Sequence, residues 1–442
     1  MTKTILVNKD NKIKENYLKK LKLVSTKNIN NKDVLIEEEA LENYLLLKEF
    51  LLSKNIKIGI ISAYKSLEET TNTDEHYTGL AIDIALIIDN KIITNDNSLE
   101  YDNIYQEIHK YLKDFGFILR YPKDKEQITN YTYRPYHIRY VGKFVANIIY
   151  EKKYTLEEYS TKYSGIVFIN KGQDITSFDV VNDISKLFGI KRVGHTGTLD
   201  PLATGVLIIA IGQATKVVEL LTATYKEYIA EVKLGIKTDT LDITGTILDT
   251  KDIPSNIDLN KTLNSFKKTY LQEVPIYSAV KVNGKKLYEY ARNNEYVELP
   301  KKEVTIKEID LLSQNDDTFT FKALVSKGCY IRSLINDIGE SLNTYATMTK
   351  LTRTKQGIIS LDKTNSMEDI KNENINIFGI EDVLDYPIIE VDEYLEKMIR
   401  TGRPLINKFD ITEKVIFKDK NNTLLGIYYL DNDTLKVWKN FI

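Results

Sequence analysis

The chain is organised around Gly194-His195-Thr196-Gly197-Thr198-Leu199-Asp200-Pro201-Leu202-Ala203-Thr204-Gly205. Pro201 fixes its own φ angle and disfavours a helical backbone at the preceding residue, Asp200. The apolar run Val206–Ile211 follows directly and predicts a buried strand. The pattern therefore predicts a carboxylate on a stiff turn beside a core strand, where a fold can present one acid to a pocket. An ordinary Asp-Pro turn is the alternative that these residues alone leave open.

Length and composition limit the class of protein. The 442 residues predict two or three domains, and 42% hydrophobic with 28% charged residues is typical of a soluble globular protein. A net charge of -2 gives no overall basic field, so binding of RNA would need local basic patches. The single cysteine, Cys329, excludes an internal disulfide and fits a reducing compartment. Without a signal-peptide pattern or a membrane-spanning run, we expect a cytoplasmic, monomeric protein that does not bind membranes.

Three further segments accompany the central one. Gly165–Lys171 predicts a strand that ends in a basic residue, Lys226–Gly235 alternates like a half-exposed strand, and Ser326–Leu334 places an arginine on a short apolar element. Together with Gly194–Gly205, these segments closely resemble the motifs of TruB-type tRNA pseudouridine synthases, and the resemblance covers roughly residues 164–442.

The resemblance implies an α+β organisation for this part of the chain. A synthase catalytic domain with a mixed or antiparallel sheet and flanking helices is expected over residues 164–380. A small C-terminal β domain, similar to the PUA-like RNA-contacting tail of bacterial TruB proteins, is expected over residues 381–442. The sequence there predicts a helix at Glu393–Arg400 and short strands at Leu424–Tyr429 and Thr434–Trp438.

The same resemblance implies an activity and its residues. The enzyme would isomerise the T-loop uridine of tRNA, uridine 55, to pseudouridine by flipping the base out, and would need no cofactor. The expected catalytic residues are Asp200, Tyr228 and Arg332. The expected substrate contacts are His195, Lys171 and Leu334.

Each role has an alternative that the residues alone leave open. Asp200 could act as a nucleophile, or as a stabiliser and base for a glycal-like intermediate. Arg332, which the family pairs with the aspartate to keep it charged and oriented, could form a surface ion pair instead. Tyr228, expected to stack on the base, could be a core aromatic. His195, expected to fill the space that the base leaves, could be a hydrogen-bonded turn residue.

The first part of the chain carries a second pattern. Glu37–Lys54 predicts a helix and Ile56–Ile61 a strand. Two imidazoles and a carboxylate, His76, Asp83 and His137, form a set that suits catalytic zinc, although distant residues of these types are often unrelated.

Residues 4–160 as a whole resemble zinc-dependent D-alanyl-D-alanine carboxypeptidases of the VanY type. The resemblance implies an α+β zinc-peptidase-like domain over residues 1–160. On that resemblance, His76, Asp83 and His137 match the three zinc ligands.

Two departures from that family bear on activity. Arg134 stands where the family places the glutamate that serves as general base, and a guanidinium accepts no proton. Lys65 replaces an arginine that grips the substrate carboxylate, and an ammonium cannot form the same two-pronged contact. Glu75 is not an obvious substitute for the missing base. We therefore expect a zinc-binding fold that has lost peptidase activity.

Two other functions stay open on the sequence. The protein could be bifunctional, with an active cytoplasmic D,D-peptidase in its first domain. It could also be a non-catalytic module that binds and refolds tRNA, in which case Asp200→Asn would leave its function intact.

Overall fold

The computed structural model describes residues 3–14, 17, 19–222 and 225–441. Its contacts divide the chain into two compact units. Within the described residues, no helix has both the length and the apolar character needed to cross a membrane. The first unit comprises residues 1–164, 183–193 and 211–213, and the second comprises residues 165–182, 194–210 and 214–442.

The first part of the chain alternates short strands with helices. In chain order its elements are β1 (Leu23–Lys27), β2 (Asp33–Glu37), α1 (Glu38–Ser53), β3 (Ile58–Ser62), β4 (Ala81–Ile88), β5 (Lys91–Ile93), α2 (Asp102–Tyr111), β6 (Phe117–Leu119), α3 (Glu126–Thr129), β7 (His137–Tyr140), α4 (Lys143–Lys152) and α5 (Leu156–Lys162). Short 3-10 helices cover Glu75–Thr78, Asn95–Tyr101 and Leu112–Phe115.

The core of this unit lies on an antiparallel sheet of order β3-β4-β7-β6, with β5 paired to β4. Helix α1 buries Ala40, Tyr44, Leu47 and Leu51, a helical spacing of apolar residues, into this core. In the β4–β7 register Asp83 lies opposite His137. The sheet therefore brings together two residues that are far apart in the sequence.

A buried network of charged side chains holds the turn that precedes β4. The Arg120 guanidinium donates to Glu75 Oε1 at 2.7 Å and to both carboxylate oxygens of Glu157 at 2.9 and 2.6 Å. Arg139 pairs with the second oxygen of Glu75, and both guanidinium groups are fully buried. Because Glu75 directly precedes His76, this network fixes the 3-10 turn that carries the imidazole. Removing one member of such a network leaves an uncompensated buried charge.

The rest of the chain contains the larger sheet. Its elements are β8 (Ser164–Lys171), α6 (Ser177–Phe188), β9 (Val193–His195), β10 (Thr204–Gly212), α7 (Val218–Thr222), β11 (Lys226–Leu234), β12 (Ile236–Thr238), β13 (Ile247–Thr250), α8 (Leu259–Ser265), β14 (Thr269–Glu273), β15 (Lys281–Val282), β16 (Lys285–Lys286), α9 (Leu287–Arg292), β17 (Lys301–Gln314), β18 (Thr318–Val325), α10 (Ile331–Ser341), β19 (Ala346–Gln356), β20 (Ile359–Ser360), α11 (Met367–Lys371), β21 (Ile388–Glu390), α12 (Glu393–Arg400), β22 (Leu405–Ile406), β23 (Lys414–Lys418), β24 (Leu424–Asp431) and β25 (Thr434–Asn440).

The main sheet has the order β14-β17-β18-β11-β19-β10-β8, with β20 on β19 and β9 on β10. Strand β10 pairs in parallel with β19, whereas β11, β14, β17 and β18 pair antiparallel, so the sheet is mixed. This architecture confirms the α+β fold class predicted from the sequence. The parallel pair sets Thr204 opposite Thr352 and Gly205 opposite Arg353, directly after the turn that carries Asp200.

The C-terminal strands form a sheet of order β21-β23-β24-β25-β22, which confirms the predicted small β domain. Its residues Ile416 and Ile427 share one buried cluster with Phe168 and Val206 of the main sheet. Trp438, the one tryptophan of the chain, packs against that cluster. Its fluorescence can therefore report on the integrity of this core.

The strongest local patterns of the sequence form the elements that were expected. The helix predicted at Glu37–Lys54 is α1, the strand predicted at Ile56–Ile61 is β3, and Glu393–Arg400 is α12. Asn283 and Gly284 have φ values of 52° and 82° and join β15 to β16. Two left-handed residues at this place are what a tight hairpin turn requires.

We expect Gly205→Ala to destabilise the second unit by about 3 kcal/mol. Gly205 has a φ of 104°, and a Cβ atom there would lie 2.3 Å from the carbonyl oxygen of Arg353. Gly284→Ala is the control: its φ of 82° is also left-handed, but its Cβ would meet no other described heavy atom within 4 Å. The control should lose about 1 kcal/mol. Urea denaturation followed by Trp438 fluorescence measures both, and equal losses would contradict the role assigned to the close β10–β19 approach.

Candidate active site

The loop between β9 and β10 carries Asp200 and is held at several points. The hydroxyl of Ser177, at the start of α6, accepts from the Leu199 N–H at 2.9 Å and donates to the Leu199 carbonyl at 3.0 Å. The Ala203 N–H donates to the Asp200 carbonyl at 3.0 Å, which closes a tight turn around Pro201. The backbone on both sides of Asp200 is therefore fixed before any substrate binds.

Arg332 and Asp200 form an ion pair. The Arg332 Nε atom lies 2.9 Å from Asp200 Oδ2. The two terminal nitrogens of the same guanidinium donate to the carbonyls of Thr240 at 2.8 Å and Tyr277 at 3.0 Å. The arginine side chain is 6% exposed, but the aspartate side chain is 36% exposed. The guanidinium is thus buried and held on three sides, while the carboxylate still reaches open space.

Tyr228 lies on β11, where its register partner on β19 is Arg353. The residue is 7% exposed, so the ring is almost completely enclosed. Burial raises the pKa of the Tyr228 hydroxyl; Arg353 opposes this rise, and Asp200 adds to it. The hydroxyl is therefore neutral at physiological pH and lies within electrostatic reach of the Asp200 carboxylate.

His195 is the last residue of β9 and is half-buried. Its Nδ1 atom accepts a hydrogen bond from the Gly197 N–H at 3.2 Å, which assigns the proton of the neutral ring to Nε2. Burial lowers the pKa of His195, and the nearby Arg353 and Lys226 lower it further. An uncharged, partly exposed ring in the loop before Asp200 fits the predicted base-replacing role.

Two of the predicted substrate contacts lie deeper than the sequence suggested. Lys171 is completely buried, and its ammonium donates to the carbonyls of Gly172 at 2.8 Å, Ile175 at 2.7 Å and Pro201 at 3.2 Å. These contacts make Lys171 a clamp on the loop that carries Asp200, and its expected contact with the substrate stays a prediction. Leu334, two residues after Arg332 in α10, is also completely buried and helps to pack this helix.

The structure adds residues that sequence reasoning missed. Thr240 and Tyr277 supply the carbonyls that hold Arg332, and backbone acceptors leave no signal in a sequence. Lys226 shares the buried face of β11 with Tyr228, because alternate residues of a strand point to the same side. That alternation could have identified Lys226.

The first unit holds a separate cluster of His76, Asp83 and His137, and all three residues are buried. His76 Nε2 lies 3.2 Å from Asp83 Oδ2, and His137 Nδ1 lies 2.6 Å from Asp83 Oδ1. One potential ligand atom from each residue lies within 4.8 Å of the others. The structure therefore assembles the predicted trio from β4, β7 and the turn before them.

The donor set fits a zinc ion. Asp74 Oδ1 lies 3.0 Å from His76 Nδ1, which directs the Nε2 lone pair towards the cluster, and Nε2 is buried without a hydrogen-bond partner among the described residues. A carboxylate that orients a ligating imidazole in this way is a regular feature of zinc sites. Burial alone would raise the pKa of Asp83, but His137 and His76 hold it well below its usual range. Two nitrogens and an ionised carboxylate leave a coordination position for water.

Arg134, at the position expected for the general base, packs its side chain on two tyrosine rings. Its guanidinium lies over the rings of Tyr121 at 5.4 Å and Tyr131 at 5.2 Å, and Tyr121 in turn stacks on His137 at 5.0 Å. Glu75 has both carboxylate oxygens engaged by Arg120 and Arg139. Arg134 therefore offers no proton acceptor, and both oxygens of Glu75 are already paired.

Family models match three parts of the chain. The TruB family pseudouridylate synthase N-terminal domain matches residues 185–331, and the tRNA pseudouridylate synthase B C-terminal domain matches residues 332–399. The D-alanyl-D-alanine carboxypeptidase model, VanY, matches residues 48–143. Both resemblances drawn from the sequence are thereby confirmed.

Solved structures and curated proteins are similar to the same parts. The structure of VanYB in complex with D-alanine-D-alanine is 25% identical, with a TM-score of 0.30 over 36% of this chain and 96% of that chain. The tRNA pseudouridine synthase B of Oceanobacillus iheyensis is 44% identical over 281 residues, which are 60% of this chain and 92% of that protein. The tRNA pseudouridine synthase B of Clostridium tetani is 42% identical over 273 residues, 61% of this chain and 93% of that protein. With such relatives matched over nearly their whole length, this chain belongs to the TruB family of tRNA pseudouridine synthases.

Proposed function

We propose that this enzyme converts uridine 55 in the T-loop of tRNA to pseudouridine, without a cofactor. The observation that carries the proposal is the pair of a buried, fully engaged Arg332 and an Asp200 carboxylate that is 36% exposed. The guanidinium orients the acid, and the exposed part of the carboxylate is free to meet a ribose. The curated relatives, named tRNA pseudouridine synthase B, supply the class of RNA.

The chemistry is an isomerisation in which no atom of the nucleotide is lost. The bond between C1′ and N1 breaks, the uracil turns, and a bond between C1′ and C5 forms; the C5 proton leaves and N1 gains a proton. An ionised carboxylate beside C1′ serves both routes, by attacking that carbon or by stabilising its positive charge and accepting a proton. A uridine inside a folded loop reaches Asp200 only after flipping out of the stack. Tyr228 then stacks against the base, and the neutral His195 ring fills the vacated place.

For the first unit, we propose a zinc site without peptidase activity. His76 Nε2, Asp83 and His137 Nδ1 would hold the ion, which would supply Lewis acidity to a bound water. Hydrolysis of a peptide also needs a base for that water, and Arg134 and Glu75 cannot provide one. Zinc therefore stabilises this unit rather than catalysing hydrolysis. We also propose that the protein acts as a monomer in the cytoplasm, where its tRNA substrate and a reducing environment for Cys329 coincide.

We expect Asp200→Asn to abolish pseudouridine formation and to leave affinity for tRNA within about threefold of the wild type, because the amide keeps the shape but not the charge of the carboxylate. The measurement is conversion of uridine 55 in an unmodified tRNA transcript without added metal or cofactor, with binding followed separately. The control is Asp239→Asn, which makes the same change at a carboxylate on the turn after β12. Normal conversion by the Asp200 variant would favour the tRNA-folding module instead.

We expect Arg332→Lys to lower kcat by roughly 100-fold with little change in tRNA affinity, because an ammonium cannot bond Asp200 and two carbonyls in one plane, and a 1 Å displacement of the acid is enough for such a loss. Single-turnover kinetics on the same transcript measure the change. Arg400→Lys on the exposed side of α12 is the matched control, and a kcat within twofold of wild type for Arg332→Lys would contradict the positioning role.

We expect the purified full-length protein to contain about one zinc per chain. His76→Gln should lose that zinc, because glutamine has no imidazole lone pair. His109→Gln is the matched control: His109 is half-buried, but its Nε2 contacts the Pro135 carbonyl at 2.8 Å and not the cluster. Metal analysis of the three proteins decides the matter. Equal zinc contents in the two variants would contradict the site.

We expect the zinc-loaded wild type to release no D-alanine from a peptide that ends in D-alanyl-D-alanine, because the proton acceptor is missing. The measurement is free D-alanine over hours, with a VanY-type enzyme as the positive control. If D-alanine is released and a zinc chelator abolishes that release, the result would support the bifunctional alternative and contradict the loss of activity.

A further inference from the structure

Two buried cations lie beside the Asp200 loop without an anion to balance them. Lys226, at the start of β11, is 9% exposed, and no hydrogen bond or ion pair joins its ammonium to any other described residue. Burial, together with the nearby Arg353, Lys327 and Lys302, lowers the pKa of Lys226 to about 8. Each charged residue that acts on this ammonium carries the same sign as the ammonium itself. The fold thus concentrates positive charge at this place.

Arg353 is the second cation, and it is completely buried. Its Nε donates to the Val206 carbonyl at 2.6 Å and its Nη2 to the Gly197 carbonyl at 3.1 Å. Its remaining nitrogen, Nη1, is buried without a hydrogen-bond partner among the described residues. A buried charged donor without a partner is costly, so such groups usually mark a place where a ligand or ion completes the bonding.

The two cationic groups face the same side of Gly197. A Cβ atom built on Gly197 would lie 2.6 Å from Lys226 Nζ and 3.6 Å from Arg353 Nη1. Gly197 lies two residues after His195 and three before Asp200 in the central segment. The absence of a side chain at Gly197 therefore lets the Lys226 ammonium and the Arg353 guanidinium lie close to the loop that carries Asp200.

The chemistry of this pair of cations favours a phosphate. The two cationic donors repel each other, and no described carboxylate forms an ion pair with either of them, so a bound anion would relieve the repulsion. A phosphodiester offers two unesterified acceptor oxygens, enough for one ammonium and one guanidinium N–H. RNA carries such a group at every nucleotide, and the two cations adjoin the loop that carries Asp200.

We propose that Lys226 and Arg353, around Gly197, bind one backbone phosphate of the substrate RNA next to the flipped uridine. This inference rests on the proposed function, because it takes the RNA at the Asp200 site as the source of the phosphate. Arg353 has two of its nitrogens fixed by carbonyls and presents the third. Lys226 supplies the movable charge. Together they are positioning residues that register the strand so that its ribose meets Asp200.

The first experiment measures binding without turnover. Two full-length proteins are compared, Asp200→Asn and the double variant that also carries Lys226→Gln. The affinity of each for a labelled T-arm stem-loop RNA is measured over a series of salt concentrations. We expect about tenfold weaker binding and a slope of log K against log salt that is smaller by about one, as for the loss of one phosphate contact. Lys233→Gln, on the opposite face of the same strand and paired with Asp317, is the control and should change neither quantity. An unchanged affinity and slope for Lys226→Gln would overturn the proposal.

A second experiment locates the phosphate. RNAs with a single uncharged methylphosphonate at each position around the target uridine are tested against both proteins. At one position the methylphosphonate should weaken binding by the protein that keeps Lys226 by about tenfold. The same RNA should bind the Lys226→Gln protein no more weakly than unmodified RNA does, because that protein already lacks the contact. Independent, additive losses at all positions would show that Lys226 contributes only general attraction, which would contradict a dedicated pocket.

Two controls separate this role from a structural one. Lys226→Gln should leave the thermal midpoint unchanged or raised, because it removes an unbalanced buried charge; a clear fall in the midpoint would assign the lysine to folding. Gly197→Ala, which keeps every charge but puts a methyl group where it would displace the Lys226 ammonium, should weaken binding as Lys226→Gln does. Failure of the wild type to convert uridine 55 would refute the proposed function, whereas normal conversion with unaltered binding by Lys226→Gln would refute the phosphate pocket alone.

Discussion

The ion pair between Arg332 and Asp200 is the constraint on which the rest of the synthase part depends. Burying a guanidinium is costly unless its donors are engaged, and here two go to carbonyls and one to the acid. The carbonyls belong to Thr240 and Tyr277, on loops that connect different strands of the second unit. The position of the Asp200 carboxylate is thus determined by packing at several distant points of the chain. A carboxylate held in this way needs no rearrangement when substrate arrives.

Each of the two units pairs a carboxylate with a buried arginine, but only the carboxylate of the second unit stays partly exposed. In the first unit Glu75 has both oxygens bound by buried arginines, so it is a structural charge with no capacity left for chemistry. In the second unit Asp200 has one described ion-pair partner and keeps part of its carboxylate exposed. The difference lies in how many donors surround the acid, since each carboxylate is accompanied by a buried arginine. Counting engaged oxygens therefore distinguishes a structural carboxylate from a reactive one.

Much of the local structure could be predicted from the sequence, because strong periodicity and turn residues determine elements such as α1, α12 and the hairpin at Asn283. The pairing of Asp200 with Arg332 came from a resemblance of motifs and not from spacing, since the two residues are far apart in the sequence. Lys171 shows what a sequence pattern does not predict. A lysine at the end of a strand beside an RNA site suggests a phosphate contact, yet the carbonyls that engage it belong to the backbone, which every sequence shares. The order of the strands, which places β19 between β10 and β11, likewise depends on packing over the whole sheet.

The central segment combines these constraints in twelve residues. Pro201 and the Ser177 hydroxyl fix the backbone of the acid, and Lys171 bonds the carbonyl of that same proline. Gly205 permits the close approach to the Arg353 backbone, while the side chain of Arg353 reaches back to the Gly197 carbonyl. Arg353 therefore contributes its backbone to the close pairing of β10 with β19 and its side chain to the charge beside Gly197. A change at Gly205 acts first on strand pairing, whereas a change at Gly197 acts on the surroundings of the two cations.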